Sequence, residues 1–127
     1  CFDHAIDGDA LSACRALRHL QEEGTEPAAL VAAMAHQLRT LAQLKQFSER
    51  GKMDDGMRAL RVQRKRQSAV SQRVQSTSKA EFEQWTKLAS QADLMSKSID
   101  KENAWLLIEM VLLGLAGKPM ATQHYHI

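Results

Sequence analysis

An all-α fold, a compact bundle of about five helices, is predicted by three features of the sequence. Helix-favouring residues, above all Ala, Leu, Gln, Arg, Lys and Glu, dominate the 127-residue chain. Only two prolines and six glycines interrupt it. Apolar residues recur at intervals of three and four, without the long Val/Ile/Thr alternation that strands show. The length suits one domain, expected over residues 1–121, with a flexible tail over residues 122–127.

A helical hairpin is predicted at the start of the chain. Asp9 is a good N-cap for a helix over residues 10–23. Gly24 is the residue type that ends a helix in the left-handed conformation, and Pro27 suits a first helical turn. A second helix should then run over residues 27–50. Its apolar residues keep helical spacing: Leu30, Met34, Leu38, Leu41, Leu44 and Phe47.

The middle of the chain predicts two more helices. A polar connection over residues 52–56 and a short helical turn over residues 57–62 should precede a helix over residues 63–75. That helix has a thin apolar face, so it is the weakest of the set. Ser78 and Glu81 form a capping box, which starts a helix that reaches about Lys97.

The last predicted helix, residues 101–116, follows Asp100 as its cap. It is apolar nearly all round, so it should be the central core helix. Because it is short and carries Glu109 near its middle, it should not span a membrane. Glu109 should either pair with an arginine or face a subunit interface. Trp85 and Trp105 lie on apolar stripes and are predicted to be core residues.

Charge is balanced over the whole chain but separated along it. Seventeen Lys and Arg face fifteen Asp and Glu, a formal net charge of +2. Acidic residues dominate before Pro27, whereas residues 56–78 carry basic residues and no acid. Cys1 and Cys14 lack metal or redox spacing and are interpreted as reduced thiols of a cytoplasmic protein. No secretory signal is visible, and the absence of an initial Met predicts a fragment of a larger protein.

No motif for catalysis is found in the sequence, so we expect a non-enzymatic domain without a cofactor or a metal. Asp54 and Asp55 resemble a paired carboxylate, but their glycine neighbours favour an exposed loop. His124 and His126 could form a weak metal chelate; a mobile tail is the simpler explanation.

The basic run is the one segment with the chemistry of a partner site. Arg58, Arg61 and either Arg64 or Lys65 are predicted on one helical face, from which they could reach successive phosphates. Arg66 continues the run. The alternative is the solvated face of an ordinary helix. Because the segment has no aromatic residue to stack on bases, contact with a nucleic-acid backbone should dominate.

Several short runs stand in a characteristic order along the chain. They occupy residues 7–9, 16–17, 20–27, 38–45, 62–67, 105–109 and 117–119. Together they resemble the C-terminal domain of the delta subunit of the bacterial DNA polymerase III clamp loader. The resemblance extends over about residues 2–121. Each run alone is a modest signal, and the specificity comes from the order and spacing of all of them, including the Gly24-Thr25-Glu26-Pro27 hinge and the Leu38-Arg39-Thr40-Leu41 segment.

The resemblance implies a helical collar domain that packs against the gamma/tau and delta prime subunits. The complex would load the sliding clamp on primed DNA during replication, and the clamp itself would contact an N-terminal part outside this chain. Primer–template DNA is implied as a further partner, near Arg58, Arg61, Arg64, Lys65 and Arg66. Where relatives carry an aromatic beside the basic segment this chain has Gln63, which argues against base stacking.

Two alternatives remain open from the sequence. A stand-alone helical protein could bind nucleic acid through the basic run at residues 58–73. A helical adaptor for an unrelated complex is the third interpretation. Salt-dependent DNA binding by the domain alone would favour the first of these alternatives.

Overall fold

The computed structural model describes residues 1–117, and they are all-α, which confirms the predicted fold class. This part of the chain contains no strand. Its elements are α1 (Phe2–Ile6), α2 (Ala10–Glu22), α3 (Pro27–Glu49), α4 (Met53–Ala59), a 3-10 helix (Arg64–Arg66), α5 (Gln67–Gln75), α6 (Lys79–Ser96) and α7 (Lys101–Leu115). The expected tail and its two histidines lie outside the described residues.

The predicted succession of two helices joined by a tight turn is confirmed in α2 and α3, and the turn has the expected chemistry. The two helices pack mainly on other elements, α2 on α1 and α7 and α3 on α6. Gly24 has a φ of +84°. The N–H groups of Gly24 and Thr25 donate to the carbonyls of Gln21 and Leu20, at 3.1 and 3.0 Å. These two bonds satisfy carbonyls that the end of α2 would otherwise leave free. Pro27 opens α3 in the first turn, where its missing N–H costs nothing.

The predicted loop over residues 52–56 is wrong, because α4 begins at Met53. Asp54 and Asp55 lie in its first turn, where carboxylates interact favourably with the helix dipole. Gly56 lies inside the helix rather than in a loop. A Cβ at this position would approach the side chain of Phe47 to 2.7 Å, so Gly56 allows α4 to pack directly on the end of α3.

The bundle is built around α7, as its apolar sequence predicts. This helix packs against α1, α2, α3 and α6, and Ile108, Val111, Leu112 and Leu115 are fully buried. The capping box of Ser78 is formed at the start of α6, which runs beside α7 as its closest neighbour. Trp85 and Trp105 are buried, as predicted.

Two short helices within residues 1–117, α1 and α4, add to the bundle of about five helices that the sequence predicts. Neither α1, five residues long, nor α4, seven residues long, extends far enough to show helical periodicity in the sequence. α1 nevertheless contributes Phe2, Ala5 and Ile6 to the core, against α2, α5 and α7. Within residues 1–117 no helix has the length and apolar character that crossing a membrane requires.

Candidate nucleic-acid interface

The basic segment folds into two helices joined by a turn, so the predicted single helical face is wrong. α4 ends before Arg61, which has a φ of +56°. The N–H groups of Arg61 and Val62 donate back to carbonyls of α4, at 3.2 and 3.0 Å. This closure ends the helix and redirects the chain. Arg64 and Lys65 therefore lie on a separate 3-10 helix and not in line with Arg58.

Arg66 belongs to the structural framework rather than to an exposed basic face. Its side chain is only 20% exposed, and its Nη1 lies 2.8 Å from Oδ1 of Asp7. Its Nη2 donates to the main-chain carbonyl of Asp3 at 3.2 Å, and the carboxylate of Asp3 lies 3.8 Å away. These charge-assisted contacts fasten the start of α5 to α1. The guanidinium is therefore committed within the fold and poorly placed to meet DNA.

Arg73 makes a second connection two turns further along α5. Its Nε donates to the main-chain carbonyl of Ile6 at 3.4 Å, beside the C-terminal end of α1. Its guanidinium also lies against Gly8 and Gly117, where an added Cβ would approach Nη atoms to 3.4 and 3.3 Å. A cation at a helix C-terminus is favourable because carbonyl dipoles point towards it. Arg66 and Arg73 together hold α5 to α1.

The sequence analysis missed these two structural arginines. The separation of an acidic N-terminal part from a basic run was the available signal, because Asp3 and Asp7 are among those acids. It indicated that the two parts attract each other. It could not show which arginine meets which acid, since the partners of Arg66 lie 59 and 63 residues away in sequence.

Arg58 lies on α4 and forms an ion pair with Asp55 one turn earlier. Both side chains are largely exposed, at 76% and 53%. A surface pair of this kind contributes little to stability, because water screens the charges. Arg58 can therefore exchange Asp55 for another anion at small cost.

Arg61, Arg64 and Lys65 form the exposed part of the basic segment, called here the basic turn. All three are exposed, and no carboxylate within residues 1–117 pairs with them. Three cations close in sequence and free of partners present a local positive field to solvent. The basic turn is the part of the predicted site that the structure leaves available.

Arg61 is the one residue other than glycine with a positive φ in the described chain. The remaining such positions, Gly8, Gly24, Gly51 and Gly117, are all glycine. An L-residue in this conformation costs about 1 kcal/mol, because its Cβ crowds the following carbonyl. The chain thus keeps an arginine at a helix end where glycine would be more favourable. Such a position points to a role for the side chain itself.

A polar cleft of about 290 Å³ lies beside the basic turn. Its walls come from α1, α3, the turn after α4, the 3-10 helix and α5. Polar side chains predominate among them: Asp3, His36, Gln37, Thr40, Arg61, Gln63 and Arg66. Amide, hydroxyl and guanidinium groups can donate hydrogen bonds to an anionic oxygen. The cleft therefore extends the donor surface of the basic turn onto α3.

The other candidate groups carry no assembled chemistry in the described residues. Within residues 1–117 no set of three His, Cys, Asp or Glu side chains is arranged to hold a metal ion. Cys1 and Cys14 are free thiols. Burial raises the pKa of Cys14, and the nearby carboxylate of Glu109 raises it further. A thiol with a raised pKa stays protonated and is a poor nucleophile.

Glu109 lies half-buried in a cleft between α2 and α7, together with Cys14 and Arg18. No ion pair to Glu109 forms within residues 1–117. The predicted pairing with an arginine is therefore wrong for the described chain. That Glu109 faces a subunit interface stays a prediction.

These features define an all-α bundle domain with one committed and one exposed group of basic residues. The family described as "DNA polymerase III delta subunit, C-terminal domain" matches residues 2–115, nearly the whole chain. The chain belongs to this family, which confirms the resemblance stated from the sequence. The comparison with curated proteins gives no match, and neither does the comparison with solved structures.

Proposed function

We propose that this chain is the collar domain of a clamp-loader delta subunit. It holds the subunit in the complex that loads the sliding clamp on primed DNA during replication in the cytoplasm. Its partners are the gamma/tau and delta prime subunits, and it performs no catalysis of its own. The family match over residues 2–115 carries this proposal.

Exposed apolar side chains on the surface of the domain support an assembly role. Four large apolar side chains are exposed in the described residues, namely Leu11, Leu94, Ile99 and Leu106, at 62%, 71%, 104% and 56%. They lie on α2, α6 and α7 or in the connection between α6 and α7. Apolar side chains on the outer helices favour contact with other subunits, since stable interfaces bury such groups.

A pull-down with the other loader subunits tests the assembly role. The full-length subunit should retain gamma/tau and delta prime, and a version that lacks residues 2–115 should lose them. As a control, residues 2–115 are added back as a separate chain, which tests whether the rest of the truncated subunit is still folded. Equal retention with and without residues 2–115 would contradict the proposal.

We further propose that the basic turn lies near primer–template DNA in the loaded complex. Arg61 supports this placement, because its backbone conformation is costly without a function for the side chain. Arg64 and Lys65 add exposed charge, whereas Arg66 is committed to α1. Of the five residues that the sequence predicts near DNA, we therefore retain Arg61, Arg64 and Lys65. Arg58, on the neighbouring helix α4, is a weaker candidate.

A salt titration of DNA binding separates this proposal from the stand-alone alternative. Each phosphate neutralised contributes about 0.9 to the slope of log K against log salt. A stand-alone binder would bind DNA tightly as an isolated domain with a steep slope. A collar domain should bind weakly alone, and the basic turn should contribute to the slope only within the assembled loader.

A further inference from the structure

A continuous groove runs along the outer side of the α3–α6 pair. Its two sections, of about 500 and 420 Å³, meet at Thr86. Val31 lies opposite Leu94 at one end, and Glu49 lies opposite Lys79 at the other, so the two helices run antiparallel. The floor is formed by buried Val31, Leu38, Phe82 and Ala89.

Most of the residues that α3 contributes to the groove lie in one row. Ala32, Ala35, Arg39, Ala42, Gln46 and Glu49 recur at steps of three and four, and Val31, Leu38 and Lys45 complete the lining from α3. This row lies beside the buried stripe of the same helix, which contains Met34, Leu41 and Leu44 and whose Val31 and Leu38 also form part of the groove floor. α3 therefore carries a second row of residues that the rest of the described chain leaves exposed or half-buried.

A similar row lies on α6. Lys79, Glu83, Thr86, Ser90 and Asp93 recur at steps of four and three, and Phe82, Lys87, Ala89 and Leu94 complete the lining from α6. Steps of three and four residues place these side chains along one face of each helix. Small side chains such as Ala32, Ala42 and Ser90 let another backbone approach closely. The groove thus has the geometry that accepts one further helix between α3 and α6.

The charges at the rim indicate the character of that helix. Arg39, Lys45, Lys79 and Lys87 line the groove against Glu49 and Glu83, and none of the six forms an ion pair within residues 1–117. Asp93 is already paired with Lys97 at 3.1 Å. Cations therefore exceed available carboxylates, and a complementary occupant carries acidic residues beside its apolar seam.

Length and exposed apolar residues give the extent of the contact. Ala32 and Glu49 are separated by about 26 Å along α3, at about 1.5 Å per residue, which a helix of about 18 residues would cover. Leu94 stands at one end of the groove and is 71% exposed. Ile99, fully exposed, follows in the connection after α6. Both would gain burial from an occupant that continues past this end.

We propose that the α3–α6 groove binds an amphipathic helix of a neighbouring clamp-loader subunit, about 18 residues long, with large apolar residues in its seam and acidic residues beside it. This inference rests on the proposed function and names the surface and the partner chemistry that carry it. Large apolar residues fit because small side chains such as Ala32, Ala42 and Ser90 leave room for them, and acidic residues beside the seam would complement the excess of rim cations.

The test replaces two exposed groove residues in the full-length subunit, Ala32→Glu together with Ser90→Glu. The matched control is Ala33→Glu with Gln91→Glu, which places the same charges on exposed positions one residue outside the groove. Circular dichroism confirms that both variants fold. The groove variant should bind the other loader subunits at least tenfold more weakly, because a carboxylate would be buried beside acidic flanks, while the control should bind as the unmodified subunit does.

A photo-crosslinking residue at position 32 identifies the occupant. The expected product joins position 32 to a helix of a neighbouring subunit that has the stated pattern. Crosslinks to DNA, to the sliding clamp or to a second copy of this chain would overturn the inference, as would equal binding by the groove and control variants. In those cases unmodified subunit would still assemble and the collar role would stand. Failure of the unmodified subunit to assemble would overturn the collar role, and the groove proposal with it.

Discussion

Arg66 and Arg61 lie five residues apart in one basic run, yet the fold uses them in opposite ways. Arg66 is largely buried and contacts Asp3 in α1 and Asp7 directly after it. Arg61 is exposed and occupies a backbone conformation that disfavours arginine. Arg73 resembles Arg66, while Arg64 and Lys65 resemble Arg61. A run of like charges therefore need not form one surface. Its members divide according to whether the fold supplies them with partners.

Removal of Arg66 should have the largest effect on stability. Arg66→Ala leaves Asp7 without its cation and removes a charge-assisted bond to α1, so the free energy of unfolding should fall by about 2 kcal/mol. Urea unfolding followed by circular dichroism measures this loss. Arg64→Ala, an exposed arginine in the same 3-10 helix, is the matched control and should stay within about 0.5 kcal/mol of the unmodified chain. Equal losses of unfolding free energy in both variants would contradict the distinction between a structural Arg66 and an exposed Arg64.

Replacement of the acidic partner should have a smaller effect. Asp7→Asn keeps the size of the side chain but removes the charge that faces Arg66, so the free energy of unfolding should fall by about 1 kcal/mol. In a double-mutant cycle, Asp7→Asn should cost much less once Arg66 is already alanine. Additive losses would mean that the 2.8 Å contact between the two side chains contributes no coupling.

Arg61→Gly should change stability in the opposite direction. Glycine adopts the left-handed conformation without the Cβ clash, so the free energy of unfolding should rise by about 0.5–1 kcal/mol. DNA binding by the assembled loader should weaken at the same time, because one cation is lost. Thermal unfolding and a DNA titration on the same preparation check both. A variant that is no more stable, and binds DNA as before, would remove the argument for a functional Arg61.

Substitution of the other two residues of the basic turn should leave stability nearly unchanged. Arg64→Ala with Lys65→Ala removes exposed side chains without partners in the described chain, so unfolding should shift by less than about 0.5 kcal/mol. The salt slope of DNA binding by the assembled loader should drop by up to about 2, if each residue neutralises one phosphate. Lys52→Ala, exposed at the start of α4, serves as the control, and its slope should not change.

Features determined by neighbours in sequence were predicted well. The Gly24 turn, the Pro27 start of α3 and the Ser78 capping box each depend on residues within six positions of one another. The central position of α7 was also predicted, because a helix apolar nearly all round must be buried. Local chemistry and periodicity thus established the fold class and the order of the long helices.

Features determined by distant contacts were not predicted. Gly56 resembles a loop residue in the sequence, and only the structure shows that it lies in a helix against Phe47. Arg66 resembles its basic neighbours in the sequence, and only the structure shows its contact with Asp7. The left-handed conformation of Arg61 was equally hidden, because a helix end of this type usually carries glycine. Only the fold therefore separates the basic residues that contact α1 from those that are exposed, and the proximity of the exposed ones to DNA stays a prediction.

The proposed assembly role of the domain is tested most directly by hydrogen–deuterium exchange of the full-length subunit, alone and within the assembled loader. Slower exchange is predicted in peptides of α3 and α6 on assembly, because a helix in their groove would protect both. Primed DNA should then slow exchange in the basic turn but leave α3 and α6 as they were. Unchanged exchange throughout residues 2–115 on assembly would contradict a collar function for this domain.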